Sequence, residues 1–192
     1  MVATAAEIHV WQARLDAAHW PSSDGLPPKE RDREARIQRR EPRRRWVAAR
    51  WALRGILGAY LDEDPAKIEL GAERHGKPVL ADPPTPLRFN LSHSRDLAVV
   101  AVARGREVGV DVEWIDPRRG RPADFYATWT RREAVAKCLG VGLWATLPAA
   151  AVAVSPFDAE PGFAAAIAVA GEDVPPLRRF AIGADLTRPP GR

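Results

Sequence analysis

The stretch Leu97 to Trp114, LAVVAVARGREVGVDVEW, limits the folds open to this chain more than any other. An apolar run flanked by turn-forming residues predicts two β-strands, roughly Leu97 to Ala103 and Glu107 to Trp114. A tight turn at Arg104-Gly105-Arg106 would join them as a hairpin. Side chains alternate along a strand, so Asp111 and Glu113 project from one face only two residues apart. Two carboxylates held that close repel unless a cation, a proton or a basic side chain sits between them. Just upstream, Ser92 and His93 stand as a polar pair.

At 192 residues the chain can bury a sizeable core, as one domain or as two small packed ones, and nothing in it reads as a linker. The 29 Lys and Arg exceed the 25 Asp and Glu by four, a mild excess that suits a polyanionic ligand without requiring one. A single cysteine, Cys138, excludes an intrachain disulfide and fits a reducing cytosol. The opening residues lack a basic segment followed by an apolar core, and no apolar run approaches the ~20 residues of a membrane span. The expectation is therefore a cytoplasmic protein with no membrane partner, in which the Asn90-Leu91-Ser92 sequon is never glycosylated.

Glu7 to Leu15 predicts a first strand, and Pro21 to Pro28 a loop. The charged segment Lys29 to Glu41 predicts a solvated helix stopping before Pro42. A second helix, about Arg43 to Leu61, carries a buried stripe of Trp46, Leu53, Leu57, Tyr60 and Leu61. Arg50 falls inside that stripe and needs an anion there, because a guanidinium cannot escape desolvation by losing its proton. On the helix alone, an internal carboxylate is favoured over a ligand phosphate. Arg45 lies on the stripe's shoulder, within reach of solvent or ligand. Gly71 to Lys77 spells GxxxxGK, but Pro78 has neither the hydroxyl nor the helix-opening N–H of a P-loop. What remains is a turn presenting Lys77, read in isolation as a solvated lysine, followed by a short strand at Val79-Leu80 and a loop at Asp82-Pro83-Pro84.

Asp116 to Pro122 reads as a loop. Ala123 to Leu139 predicts a helix with Phe125, Trp129, Arg132, Ala136 and Leu139 on one side, Glu133 and Lys137 as an i,i+4 pair, and a stop at Gly140. Ala149 to Val154, Phe163 to Val169 and Leu177 to Ile182 predict strands, and Thr187 to Arg192 a frayed tail. Each half runs helix then strands, suggesting a duplicated α+β unit. Asp111, Glu113 and Glu133 offer hard oxygen ligands that select Mg2+ or Mn2+ over zinc. Lys77, His93, Lys137, Arg45 and Arg50 are candidate contacts for a phosphate-rich substrate.

Four segments, Gly76-Lys77-Pro78, Phe89 to Ser94, Gly109 to Glu113 and Trp129 to Leu143, resemble in order the signature motifs of the 4'-phosphopantetheinyl transferase superfamily, closest to its two-domain, surfactin-synthetase-activating type. The resemblance implies an α+β pseudo-dimer of two similar subdomains, drawn here at residues 1–103 and 104–192, with coenzyme A in the cleft between them. It implies that Asp111, Glu113 and Glu133 hold Mg2+ (or Mn2+) on the coenzyme A pyrophosphate. Ser92, His93, Lys77, Arg45 and Arg50 would contact phosphates, which reverses the odds on Arg50. Lys137 would steady the departing charge. Glu133, directly or through a metal-bound water, would deprotonate the serine of an apo acyl or peptidyl carrier protein, giving the holo carrier and adenosine 3',5'-bisphosphate. A monomer is expected. Only twenty residues separate Glu113 from Glu133 (133 − 113), where the family places a markedly longer, carrier-docking segment. Arg132 also replaces the lysine usual before the motif glutamate. A regulatory or scaffolding coenzyme A-binding relative is the alternative. A nucleic-acid binder using the basic run Arg31 to Arg54 ranks last, because it leaves the three carboxylates unexplained.

Overall fold

The computed structural model describes residues 3–4, 6–16, 19–72, 76–81, 85–142 and 151–183. Strands β1 (Ile8–Arg14), β4 (Leu87–Ser94), β5 (Leu97–Arg104) and β9 (Leu177–Ile182) make one sheet in the order β4-β5-β1-β9. A second sheet contains β6 (Val108–Trp114), β7 (Val152–Pro156) and β8 (Phe163–Ala170) in the order β6-β8-β7. A two-stranded hairpin pairs β2 (Leu70–Ala72) with β3 (Pro78–Leu80), and the helices are α1 (Pro28–Ala35), α2 (Arg40–Leu61) and α3 (Ala123–Leu139).

The molecule is an α+β fold in four layers. Ile8, Val10, Val99 and Ala101 of the first sheet pack against Val108, Val110, Val112 and Ile167 of the second. On the other face of the first sheet, Trp11, Val100 and Val102 lie with Leu53 and Leu57 of α2. Ala166 and Ala168 of the second sheet pack with Ala134 and Cys138 of α3. Strand β5 is therefore covered on both faces, which is why its sequence is continuously apolar rather than alternating. The succession strand, helix, strand, strand runs through β1, α2, β4, β5 and again through β6, α3, β7, β8. In both runs the first strand pairs antiparallel with the last, and the last with the one before it.

The expected hairpin is not formed. Both strands lie close to their predicted bounds, but β5 has its two edges filled by β4 and β1, so the turn at Gly105 delivers the chain to the other sheet and β6 pairs with β8. The division at residue 103 is likewise crossed, because β9 returns to the first sheet and pairs parallel with β1.

Two helical expectations also change. The charged segment breaks after α1, and α2 begins at Arg40 with Pro42 inside its first turn, where a missing N–H is tolerated. Helix α3 has its predicted bounds, but its buried face is Tyr126, Thr130, Ala134, Ala136 and Cys138, while Arg132 is exposed. Gly109 explains the rotation. A Cβ at that position would lie 2.1 Å from the Ala134 carbonyl oxygen and 2.3 Å from the Cys138 nitrogen, so the helix backbone rests directly on the strand. Small residues make that contact, and the large Phe125 and Trp129 are left half-buried beside it. Strand β7 starts at Val152. Residues 149–150 of the predicted strand, the tail from Thr187, residues 73–75 of the GxxxxGK turn and the loop at Asp82-Pro83-Pro84 all lie outside the described residues.

Candidate functional site

Strand β6 is an edge strand, and its outward N–H groups would be left open if its own sheet were the whole story. Side chains from the other sheet close them. The N–H groups of Val110, Val112 and Trp114 donate to Asn90 Oδ1 at 3.0 Å, Ser92 Oγ at 3.3 Å and Ser94 Oγ at 3.0 Å. The polar residues of β4 recur every second position, as the pleat demands, and so do the donors on β6.

Both serines act in two directions. Ser92 Oγ donates to Asp111 Oδ1 at 2.8 Å, and Ser94 Oγ donates to Glu113 Oε2 at 2.9 Å. From α3, Lys137 Nζ donates to Asp111 Oδ1 at 2.6 Å and to Ser92 Oγ at 2.9 Å. The expected Glu133–Lys137 pairing thus gives way to a contact that ties the helix to both sheets. Asp111 is 3% exposed. Its Oδ2 is buried with no hydrogen-bond partner.

The neighbouring carboxylates feel one another. Burial pushes the Glu113 carboxyl up and the charge of Asp111 adds to this, while Ser94 partly offsets both. Burial, Asp111 and Glu113 push Glu133 up as well, against Lys137. Among the described residues, no three His, Cys, Asp or Glu side chains already converge as ligands of one ion. The donor chemistry nevertheless fits a hard divalent cation: an all-carboxylate set, a buried acceptor lacking a donor, and mutual repulsion that positive charge relieves.

Beside this centre opens a cleft of about 650 Å3, whose lining includes Arg33 of α1, Trp46 and Arg50 of α2, Ser92 and His93 of β4, and Lys137 of α3. His93 is exposed at its floor. The protein around it, with the charges of Lys137 and Arg45, holds its imidazole below the usual histidine pKa. Arg50 meets the carboxylate favoured from the helix alone, donating through Nε to Glu30 Oε1 at 3.1 Å, and still borders the cleft. Arg45 is held by Asp16 and by Glu41. Lys77 is neither solvated nor part of the cleft lining: its ammonium is buried on Glu107 Oε2 at 2.7 Å and the Cys138 carbonyl at 3.2 Å. Burial pushes the Cys138 thiol up to about 11, so it is no nucleophile at neutral pH.

Sequence reasoning overlooked Ser94, Arg33 and Glu30. For Ser94 a signal existed: Asn90, Ser92 and Ser94 form a period-two polar row within a strand. For Glu30 and Arg33 there was none, since the charged segment reads as a solvated face.

A family model described as 4'-phosphopantetheinyl transferase, N-terminal, matches residues 11–105. The 4'-phosphopantetheinyl transferase HetI of Nostoc sp. is 34% identical over 179 residues, covering 78% of this chain and 75% of that protein. The 4'-phosphopantetheinyl transferase AcpT of Escherichia coli O157:H7 is 34% identical over 147 residues, 64% of this chain and 70% of its own. The phosphopantetheinyl transferase of Thraustochytrium sp. is 29% identical over 182 residues, with 72% and 62% covered. The 179 residues aligned with HetI exceed 78% of a 192-residue chain, so that alignment opens gaps in this chain.

Proposed function

Because this chain belongs to the 4'-phosphopantetheinyl transferase superfamily, we propose that it moves the 4'-phosphopantetheine arm of coenzyme A onto a serine of an apo acyl or peptidyl carrier protein, leaving adenosine 3',5'-bisphosphate. The observation that carries this reading is Asp111, a buried carboxylate with one oxygen held by Ser92 and Lys137 and the other unsatisfied, beside a cleft lined with cations.

Asp111, Glu113 and Glu133 would hold Mg2+, or Mn2+, which when bound supplies positive charge to the coenzyme A pyrophosphate and so eases attack on it. Arg33, Arg50 and His93 bind phosphate groups along the cleft. A phosphate dianion beside His93 favours its charged form and reverses the effect of its surroundings. Lys137 has three donors and lies at the junction of cleft and carboxylates, so it can pass from Asp111 to a pyrophosphate oxygen and then to the departing bisphosphate. Glu133, whose carboxyl burial and the neighbouring Asp111 charge push above the usual glutamate range, accepts the proton of the carrier serine directly or through a water it orients. The serine oxygen bonds to the β-phosphorus as the bond to the bridging oxygen breaks in line with it.

The test is intact-mass analysis of apo carrier proteins from fatty-acid, polyketide and nonribosomal-peptide systems after incubation with the protein, coenzyme A and Mg2+. A phosphopantetheine mass gain on one class, absent with Asp111→Ala, is the expected result. Retained coenzyme A binding with no gain on any carrier would instead make the chain a binding protein with a regulatory role.

A further inference from the structure

The two carboxylates of β6 are held by one arrangement, repeated two residues further along the strand. Asp111 accepts from Ser92 of β4 and from Lys137 of α3. Glu113 accepts from Ser94 of β4 at 2.9 Å and has Trp129 of α3 as a second hydrogen-bond partner. Each serine also receives the N–H of the residue that follows its carboxylate. Trp129, Glu133 and Lys137 recur every fourth residue along α3 and share one stripe, so the third carboxylate stands between the two side chains that do the holding. Trp129 is itself kept in place by Phe125, the two rings stacked with centroids 6.2 Å apart.

Glu113 needs that hold more than Asp111 does. It is half-buried rather than enclosed, and Asp111 beside it repels it. It also lines a second cleft, of about 420 Å3, together with Arg95, Arg118 and Arg119. A carboxylate free to turn would leave Asp111 and pair with one of these guanidinium groups. The arginines are instead engaged elsewhere. Arg118 and Arg119 lie on Asp116 at 3.1 and 3.7 Å, and the Arg95 guanidinium carbon sits 3.2 Å from the centre of the Trp114 ring.

We propose that Ser94 is a positioning residue for the transfer reaction, acting through Glu113: with Trp129 it keeps that carboxylate beside Asp111 and away from the arginines, so that the pair is preset for one divalent cation. The inference rests on the transferase reading above and adds to it the group that sets the second carboxylate. Two carboxylates already side by side gain from a cation at once, whereas one that must first be drawn off an arginine gains less. The Ser94 hydroxyl suits the task because it accepts the Trp114 N–H at 3.0 Å, which leaves its own proton directed at Glu113.

The experiment measures Mn2+ binding by electron paramagnetic resonance with coenzyme A present, alongside coenzyme A binding without divalent ion. Ser94→Ala should raise the Kd for Mn2+ roughly 10-fold or more, with metal-free coenzyme A affinity within about twofold of the starting value. Ser94→Thr keeps the hydroxyl and should recover most of the loss. Adding Arg118→Gln and Arg119→Gln to Ser94→Ala removes competing cations and should restore part of the Mn2+ affinity, a rescue that a purely structural serine would not show. Trp129→Phe keeps a stacked ring but loses the indole N–H, so it should weaken Mn2+ binding even if Ser94→Ala does not fold. Unchanged Mn2+ affinity in Ser94→Ala and Trp129→Phe, with transfer retained, overturns this inference and leaves the transferase reading intact. Unaltered protein that neither holds Mn2+ with coenzyme A nor transfers to any carrier overturns both.

Discussion

Ser92 and Asp111 belong to different sheets, yet Ser92 Oγ donates to Asp111 Oδ1 at 2.8 Å while accepting the N–H of Val112, the next residue along, at 3.3 Å. One hydroxyl thus fixes both the backbone register between the sheets and the direction of the central carboxylate. Ser92→Ala removes an acceptor from a buried N–H and should destabilise the fold by about 1–3 kcal/mol. Metal-dependent transfer should fall further than this loss explains, and Ser92→Thr should restore part of it. Denaturant unfolding and transfer rates across a Mg2+ titration check the two effects separately.

Glu30 concentrates two arginines on one carboxylate, with Arg50 on Oε1 and Arg54 on Oε2 at 2.9 Å. Burial works against its charge, but the hydrogen bonds from Arg54 and Arg50 prevail and hold the carboxyl below the usual glutamate range. A carboxyl depressed on folding contributes stability that is present above its unfolded pKa and lost as pH falls through its folded one. Glu30→Gln should cost about 3–5 kcal/mol at neutral pH, since Arg54, only 1% exposed, loses its counter-charge. The gap in Tm between the variant and the unaltered protein should narrow on acidification below the usual glutamate range.

Arg50 and Lys77 should respond in opposite ways. Arg50→Ala should weaken coenzyme A binding roughly 10-fold, because Arg50 borders the phosphate cleft. Lys77→Ala should leave that affinity nearly unchanged and lower stability by about 1–3 kcal/mol, because its ammonium joins β3's approach to Glu107 and the end of α3. Calorimetric titration with coenzyme A, paired with thermal unfolding of each variant, separates them. Equal affinity losses would contradict these placements.

Gly109→Ala drives a methyl group into the Ala134 and Cys138 backbone. Helix α3 must shift, with an overpacking cost of about 1–3 kcal/mol or more. Glu133 and Lys137 ride on that helix, so transfer should be lost even at temperatures where the variant stays folded. Circular dichroism alongside the transfer assay tests this.

Legibility in the sequence followed the range of the forces involved. The bounds of α3 could be read because local propensity and a left-handed Gly140 set them. The carboxylate pair on β6 could be read because strand alternation is local too. The buried face of α3 could not, since a glycine fourteen residues before the helix starts (123 − 109) decides how closely it approaches. The partner of β6 could not either: both edges of β5 are taken by strands that the turn at Gly105 gives no hint of. Arg50 is legible as needing an anion, whereas Lys77 reads as a solvated lysine and is not; in each case the partner, Glu30 or Glu107, lies twenty or more residues away.

Strand β9 pairs parallel with β1, from Ile8 against Leu177 to Ala13 against Ile182. Among the described strands, the earliest therefore waits for the latest before its second edge is covered. While the polypeptide is being made, β1 can join β5 but presents an open row of N–H and C=O groups until residue 182 has left the ribosome, a span in which off-pathway strand pairing competes. Cutting the chain before Leu177 would spare every lining residue of the 650 Å3 cleft and all three carboxylates beside it and still expose that edge, so such a fragment should aggregate rather than work as a minimal enzyme.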